Sequence, residues 1–375
     1  MRSSCSQPRL FFPPRRRSGG TSPAFKGTHL AQQDRPTLGL DRRRVGGDSE
    51  KPEGVDEMTN EVGRNSEENH TGPRQSEPTD PNASEIFAGI AGLELPVDEF
   101  DFGEGVRVRR TYAHVMAPYL AAFSPAKPGK PHPAPWKAVS GGFSFDIQAE
   151  LHVPLNFTRR QWFDRLNTVW WLLSLIRIRT APNAVVPVIA SMPFAEIPSA
   201  ECEPRFWPLE MSPHRLVAVR THGSSTVADL EWIRLHWLQA GALMGQNEDF
   251  NVAFQAFDHC IWSSTVQLGL LSLWAALERL FSPSRAELCF RIPAAIATFL
   301  EPPGKSRYAC HKSVKKLYDA RSGAAHGRPT EVDRPFVETH SFLRKVLLKI
   351  IEEDHVPSQT ELEARLFGSE EEIPG

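Results

Sequence analysis

The sequence predicts a disordered N-terminal tail, then an α+β domain, then an all-α helical bundle. Residues 1–83 are rich in Arg, Pro, Gly, Ser and acidic groups, with few apolar side chains after Phe25. A segment of that composition buries too little surface to offset its chain entropy. Alternation of apolar and polar residues, the period of a half-buried strand, is confined to the stretch before Gln246. Beyond it, apolar residues recur only at helical spacing.

A chain of 375 residues that is 40% hydrophobic is long enough for two modest domains. The predicted divisions are a tail over 1–83, an α+β domain over 84–245, a bundle over 246–355 and an acidic tail over 356–375, frayed beyond Pro357. The arginines of the first tail (Arg15 to Arg17, Arg42 to Arg44) admit RNA binding, though a solvated tail fits them better. The Arg- and Ser-rich start also admits a transit peptide, against which Pro13-Pro14 argues, and a start of translation at Met58 is a third reading. Leu10-Phe11-Phe12 is too short for the apolar core of a signal peptide, and the run Val169 to Ile176 falls far short of the roughly 20 residues of a membrane span. The expectation is a cytoplasmic protein without a membrane partner.

Within the α+β domain, Val106 to Arg110 and Phe143 to Val153 alternate as strands, joined by a Pro- and Gly-rich connection from Ser124 to Gly142. Thr158 to Ile176 reads as a helix capped by Thr158, with Trp162, Leu166, Val169, Trp170, Leu173 and Ile176 at helical spacing. Ala184 to Ala190 and Leu216 to Arg220 are further strands, and Val227 to Met244 is a closing helix. Glu201, Glu203 and Glu210 fall in a Pro-bearing loop and read as solvated surface. Five helices follow: Asn247 to Trp262, Thr265 to Phe281, Ser284 to Leu300 with Pro293 as a kink or first turn, Lys305 to Ala325, and Val332 to Ile351. The five cysteines are widely spaced with no C-x-x-C pair, so they read as reduced, mostly core thiols, and no metal site or cofactor is expected.

Chemistry concentrates in Tyr318-Asp-Ala-Arg321-Ser322-Gly-Ala-Ala-His326-Gly327. The spacing from Arg to His is weak by itself, because Arg64 with His70, Arg107 or Arg109 with His114, Arg215 with His222 and Arg334 with His340 share it. Position selects the pair Arg321 and His326, which lies where a helix is about to end. Five residues of ideal helix turn two side chains about 140° apart. Either Gly323 and the small residues around it unwind the turn and bring His326 back, or two chains complete each site across a two-fold axis. The dimer is the favoured version.

Upstream, Lys305, Arg307, Lys312, Lys315 and Lys316 precede Asp319 with no acid among them. That is the footprint of a phosphate-tracking face, or equally of a solvated one; its lead into Arg321 favours RNA, with Lys312, Lys315 and Lys316 as binding residues. With a net charge of −2 the chain has no global field for a polyanion, so a local patch must hold it. RNA carries its own nucleophile in the 2′-hydroxyl. Cleavage then needs a base and a fixed cation but no metal: a histidine titrates near neutral pH, and an arginine matches phosphate oxygens in two-point contact.

Residues 247–352 resemble the HEPN superfamily, specifically the ApeA-like HEPN domain of bacterial anti-phage defence proteins. The resemblance is carried by Leu271 to Phe281 with Glu278, by the helix bearing Arg291, and by Leu317 to Gly327. It implies a HEPN-like bundle, a ribonuclease site of Arg321 and His326 at a homodimer interface, supporting places for Tyr318, Ser322 and Glu278, and a sensor role for residues 84–245. A Glu278 that merely satisfies Arg321 or Arg291 is at least as good a reading as a catalytic one. Ala324-Ala325 departs from the β-branched residues commoner there. The rival reading is a non-catalytic RNA- or nucleotide-binding dimerisation module.

Overall fold

The computed structural model describes residues 81, 84–157, 163–211, 224–281, 288–326 and 331–368. The expected disordered tail lies outside these apart from residue 81, as do the strand expected at Leu216 to Arg220, Thr158 and Trp162. Strands β1 (Ile86–Ala91), β2 (Glu99–Gly103), β3 (Val106–Ala122), β4 (Trp136–Val153), β5 (Val185–Ala190) and β6 (Phe206–Pro208) form one sheet in the order β2-β3-β4-β1-β5-β6. Each neighbouring pair is antiparallel.

The sheet is built around strands without alternation. Every residue of β1 and of β5 is buried, so both faces of these central strands are covered and no polar residue marks either one. Gly89 of β1 is needed for close packing: a Cβ there would stand 2.7 Å from the Phe194 ring. Pro187 of β5 falls where the β1 pairing skips between Val185 and Val188, a place that wants no amide donor. Strand β2 turns into β3 through Glu104 and Gly105, both at positive φ, the geometry of a tight hairpin.

Strands β3 and β4 are much longer than their alternation suggests. They stay paired from Arg107 with His152 out to Ala122 with Trp136, so the last third of the predicted Pro- and Gly-rich connection, from Trp136 on, is strand and only residues 123–135 form the tip.

Helix α1 (Arg165–Arg179) starts at Asp164, whose carboxylate accepts the Asn167 N–H at 2.8 Å. From Thr168 to Ile178 it is buried on every side, which makes it the central rod of the molecule. The Trp171 indole donates to the Trp237 carbonyl at 2.8 Å, and the Trp237 indole donates to the Phe102 carbonyl at 2.9 Å. These two bonds string α1, α2 (Val227–Gln246) and β2 together.

The remaining helices are α3 (Glu248–His259), α4 (Val266–Phe281), α5 (Leu288–Leu300), α6 (Lys305–Ala325), α7 (Asp333–Glu353) and α8 (Gln359–Phe367). Asn247 caps α3 as its sequence predicts, accepting the Phe250 N–H at 2.9 Å, and α6 has the predicted bounds. Pro293 lies inside α5. The segment past Pro357, expected to fray, is helix α8, held by a capping box between Ser358 and Glu361. The Glu361 carboxyl is held near 2, because hydrogen bonds from His355 and Ser358 outweigh the burial that alone would raise it.

All described residues belong to one compact unit. One core runs from Ile86 and Leu151 of the sheet through Trp171 to Trp274 and Phe336 of the bundle. The guanidinium of Arg344, on α7, donates to the carbonyls of Ile178 and Arg179 at the C-terminal end of α1, where a cation is favoured. The predicted divide at 245/246 is thus a change of sequence character across a shared core.

Candidate functional site

Helices α4 and α6 lie side by side and present matched ladders. On α4, Trp274 precedes Glu278 by four residues; on α6, Tyr318 precedes Arg321 by three, so each pair shares a face. The buried rings of Trp274 and Tyr318 meet edge to face at 5.3 Å. Above them, Arg321 Nη2 stands 2.9 Å and 3.2 Å from the two oxygens of Glu278, with the guanidinium 5.7 Å from the Tyr318 ring. Glu278 therefore has Arg321 as its cationic partner. Both side chains remain about a quarter exposed (26% and 23%).

The cluster is incompletely satisfied. Arg321 Nε and Trp274 Nε1 are buried N–H donors without a hydrogen-bond partner, an uncommon state for buried polar atoms. Burial, and then the charge of Glu278, raise the Tyr318 hydroxyl above its usual range.

Of the two alternatives, the unwound turn is not what the fold adopts. Helix α6 continues through Ser322, buried Gly323 and Ala325, and His326 is its exposed C-terminal cap, donating its backbone N–H to the Ser322 carbonyl at 3.2 Å. Small residues tolerate a helix as readily as a break, and α6 packs against α4, α5 and α7 along its length. Five helical residues leave His326 about 140° round from Arg321, so this chain does not bring the two side chains together by an internal turn.

The basic face also lies elsewhere than expected. At 100° per residue, Lys312, Lys315 and Lys316 stand about 120° to 180° round the helix from Arg321, and His326 falls within about 80° of each of them. All three lysines are exposed, Lys312 with its Nζ 4.5 Å from the Tyr308 ring. Arg307 is not part of a ligand face: it donates to the carbonyls of Glu301 and Arg365 and ties α6 to α8.

The rival pairs of Arg and His are otherwise employed where they are described. Arg107 bridges to Glu99 and Asp101, Arg109 to Glu150, His114 to Asp146 and Arg334 to Glu338. His340 is a core residue stacked on Phe257, and burial followed by the charge of Arg344 lowers its imidazole to about 4. Arg64, His70, Arg215 and His222 lie outside the described residues.

Sequence reasoning missed a second ionic cluster. Arg177, only 2% exposed, donates from Nε to the Ala184 carbonyl at 2.8 Å, from Nη1 to Asp258 at 3.2 Å and from Nη2 to Glu210 at 2.5 Å, with Trp262 against its face at 4.6 Å. Glu210 is thus a core partner, while Glu201 and Glu203 are exposed as expected. Nothing local signals this, because the partners are 33 and 81 residues from Arg177. Of the described cysteines only Cys260 is buried, its thiol pushed up by burial; Cys202 and Cys289 are exposed and Cys310 is intermediate.

Among the described residues no three His, Cys, Asp or Glu side chains are gathered to hold a metal ion, and no helix is long and apolar enough to cross a membrane. No family model, curated protein or solved structure matches the chain.

Proposed function

We propose that the chain is a HEPN-type, metal-independent endoribonuclease acting in the cytoplasm in anti-phage defence or stress, with Arg321 binding the phosphate and His326 moving protons. The supporting observation is the half-open Arg321. Its Nη2 is held by Glu278, its Nε has no partner, and the Trp274 N–H in the same cluster has none either. An anion seated on the solvent-facing part of the guanidinium gains a cation whose position Glu278 already fixes.

Because His326 points away from Arg321 on its own helix, the site is composite. His326 of one chain faces Arg321 of a second across a two-fold axis near the end of α6. His326 takes the 2′-hydroxyl proton, the oxygen attacks phosphorus, and the 5′-oxygen leaves with the proton that the imidazolium of His326 gives back, yielding a 2′,3′-cyclic phosphate and a 5′-hydroxyl end. The exposed Lys312, Lys315 and Lys316, on the His326 side, hold the backbone of the same strand.

Purified protein should cut single-stranded RNA in EDTA and leave cyclic-phosphate ends. Arg321→Ala and His326→Ala should each lower the rate about 10² to 10⁴-fold with little change in melting temperature. Mixing the two inactive variants should restore part of the activity if sites are shared between chains. Cutting by both single variants overturns the assignment.

A second reading has its own support. Lys312, Lys315 and Lys316 face away from Arg321, as in a module that only binds RNA or a nucleotide and dimerises. It predicts salt-sensitive binding without turnover.

A further inference from the structure

We propose that the arm formed by the outer parts of β3 and β4 is a binding surface for single-stranded RNA, with aromatic rings stacking on bases and lysines tracking phosphates. It deepens the ribonuclease reading, on which its choice of RNA as ligand rests.

The arm leaves the body of the sheet near Ala113 and Ile147. Strand β2 pairs with β3 only as far as Arg109, and β1 pairs with β4 only as far as Ile147. Beyond these points the two strands pair only with each other, so the arm extends by about ten residues, roughly 30 Å at strand rise. Among the described residues both of its edges are open, and no described side chain from 111 to 146 is buried.

A free two-stranded ribbon is marginal by itself, and exposing large apolar rings on one is costly unless a ligand covers them. Here Tyr112, Tyr119, Phe123 and Trp136 are each more than half exposed, at 72%, 58%, 64% and 53%. Trp136 is held in place by its indole N–H, which donates to the His132 carbonyl at 3.0 Å. Tyr119 lies over Gly141, where a Cβ would come within 3.2 Å of its ring. Trp136 and Tyr119 are thus held in position, each with a face to solvent.

Charge selects the ligand. At the base of the arm Asp146 is taken up by Tyr112 and His114; outward of it, from Val115 to Phe145, the chain has Lys127, Lys130 and Lys137 with His132, and no acidic residue. Rings interleaved with lysines on an acid-free outer arm suit a flexible polyanion that carries flat bases. A membrane fits less well, because the distal end from Ser124 to Pro135 holds Lys127, Lys130 and His132 ahead of the rings, and these groups would have to enter the bilayer first.

The test uses the full chain carrying His326→Ala and a fluorescent 20-nucleotide oligouridylate, with binding read by anisotropy across a salt series. Adding Lys127→Ala, Lys130→Ala and Lys137→Ala together should weaken binding about tenfold or more and reduce the salt slope by about 2. Tyr119→Ala and Trp136→Ala should each weaken it about fivefold or more. All five side chains are exposed, so circular dichroism should be unchanged. Unchanged RNA affinity in both sets overturns the proposal. So does affinity for phosphatidylglycerol vesicles in place of RNA, or a change of dimer to monomer with RNA binding intact. Cleavage by the wild-type chain is read separately: RNA held through the arm but never cut sinks the nuclease reading and leaves this one standing. Cutting with arm-independent binding does the reverse.

Discussion

Two arginines of this protein face acidic partners in opposite ways. Arg177 is closed: every one of its three nitrogens donates, to Ala184, Asp258 and Glu210, and Trp262 covers its face. Arg321 is open, with one nitrogen on Glu278, another without a partner, and a quarter of the side chain in solvent. A saturated buried arginine has nothing left to offer a ligand and serves to hold elements together. An arginine restrained at one corner keeps donors free, and that difference, more than the presence of a salt bridge, separates a staple from a site.

The largest test of the contrast is stability. Arg177→Leu leaves buried Asp258 and partly buried Glu210 without their cation and should cost about 3–5 kcal/mol in chemical denaturation. Arg321→Leu, at a partly solvated pair, should cost less than about 1 kcal/mol. Equal losses would erase the distinction.

The histidines repeat the contrast and give a pH test. His340 is buried and its imidazole lies near 4 in the folded chain, against about 6.5 unfolded. The unfolded state therefore binds the proton first. Stability from this group is complete above pH 6.5, falls as pH drops from 6.5 toward 4, and the loss reaches about 3 kcal/mol at the lower end. His340→Leu should lack this component, so its denaturation free energy should decline less over that window than the wild type's. Parallel curves would mean that His340 is not held neutral.

Glu278→Gln gives the smallest effect. If Glu278 only restrains Arg321, the amide should change stability by less than about 1 kcal/mol and cleavage by less than about tenfold. Loss of all cleavage would put Glu278 in the chemistry itself.

The helices were the most legible part of this sequence, because amphipathic spacing and caps such as Asn247 are local signals. The bounds of α6 follow from its apolar stripe and the Gly304 and His326 flanks. Strands β1 and β5 show why the sheet was less so: β5 stands out as an apolar run, but β1, with Ala and Gly among its buried positions, has neither alternation nor bulk. The outer part of β4, from Trp136 to Gly142, was read as connection because the prolines and glycines around it mask pairing that continues past them. At the candidate site the partner of Glu278 was readable as one of two arginines, Arg321 or Arg291, and the fold pairs it with Arg321. The orientation of Lys312, Lys315 and Lys316 was also available from 100° arithmetic and was overridden by their nearness in sequence. The Arg177 cluster was unreadable, since its partners meet only when distant segments fold.

The cap that Arg344 places on α1 has a consequence for synthesis. The carbonyl it satisfies on Arg179 belongs to a residue 165 positions earlier. At 5–20 residues per second, a ribosome needs roughly 8–33 s to cover that distance. The helices that cover the tryptophans of α1 arrive sooner, with Trp237 and Asp258 lying 66 and 88 residues beyond Trp171 and Trp170, but the end of α1 stays open for the whole interval. The end of this buried helix therefore closes only once α7 has been made, late on the scale of collapse.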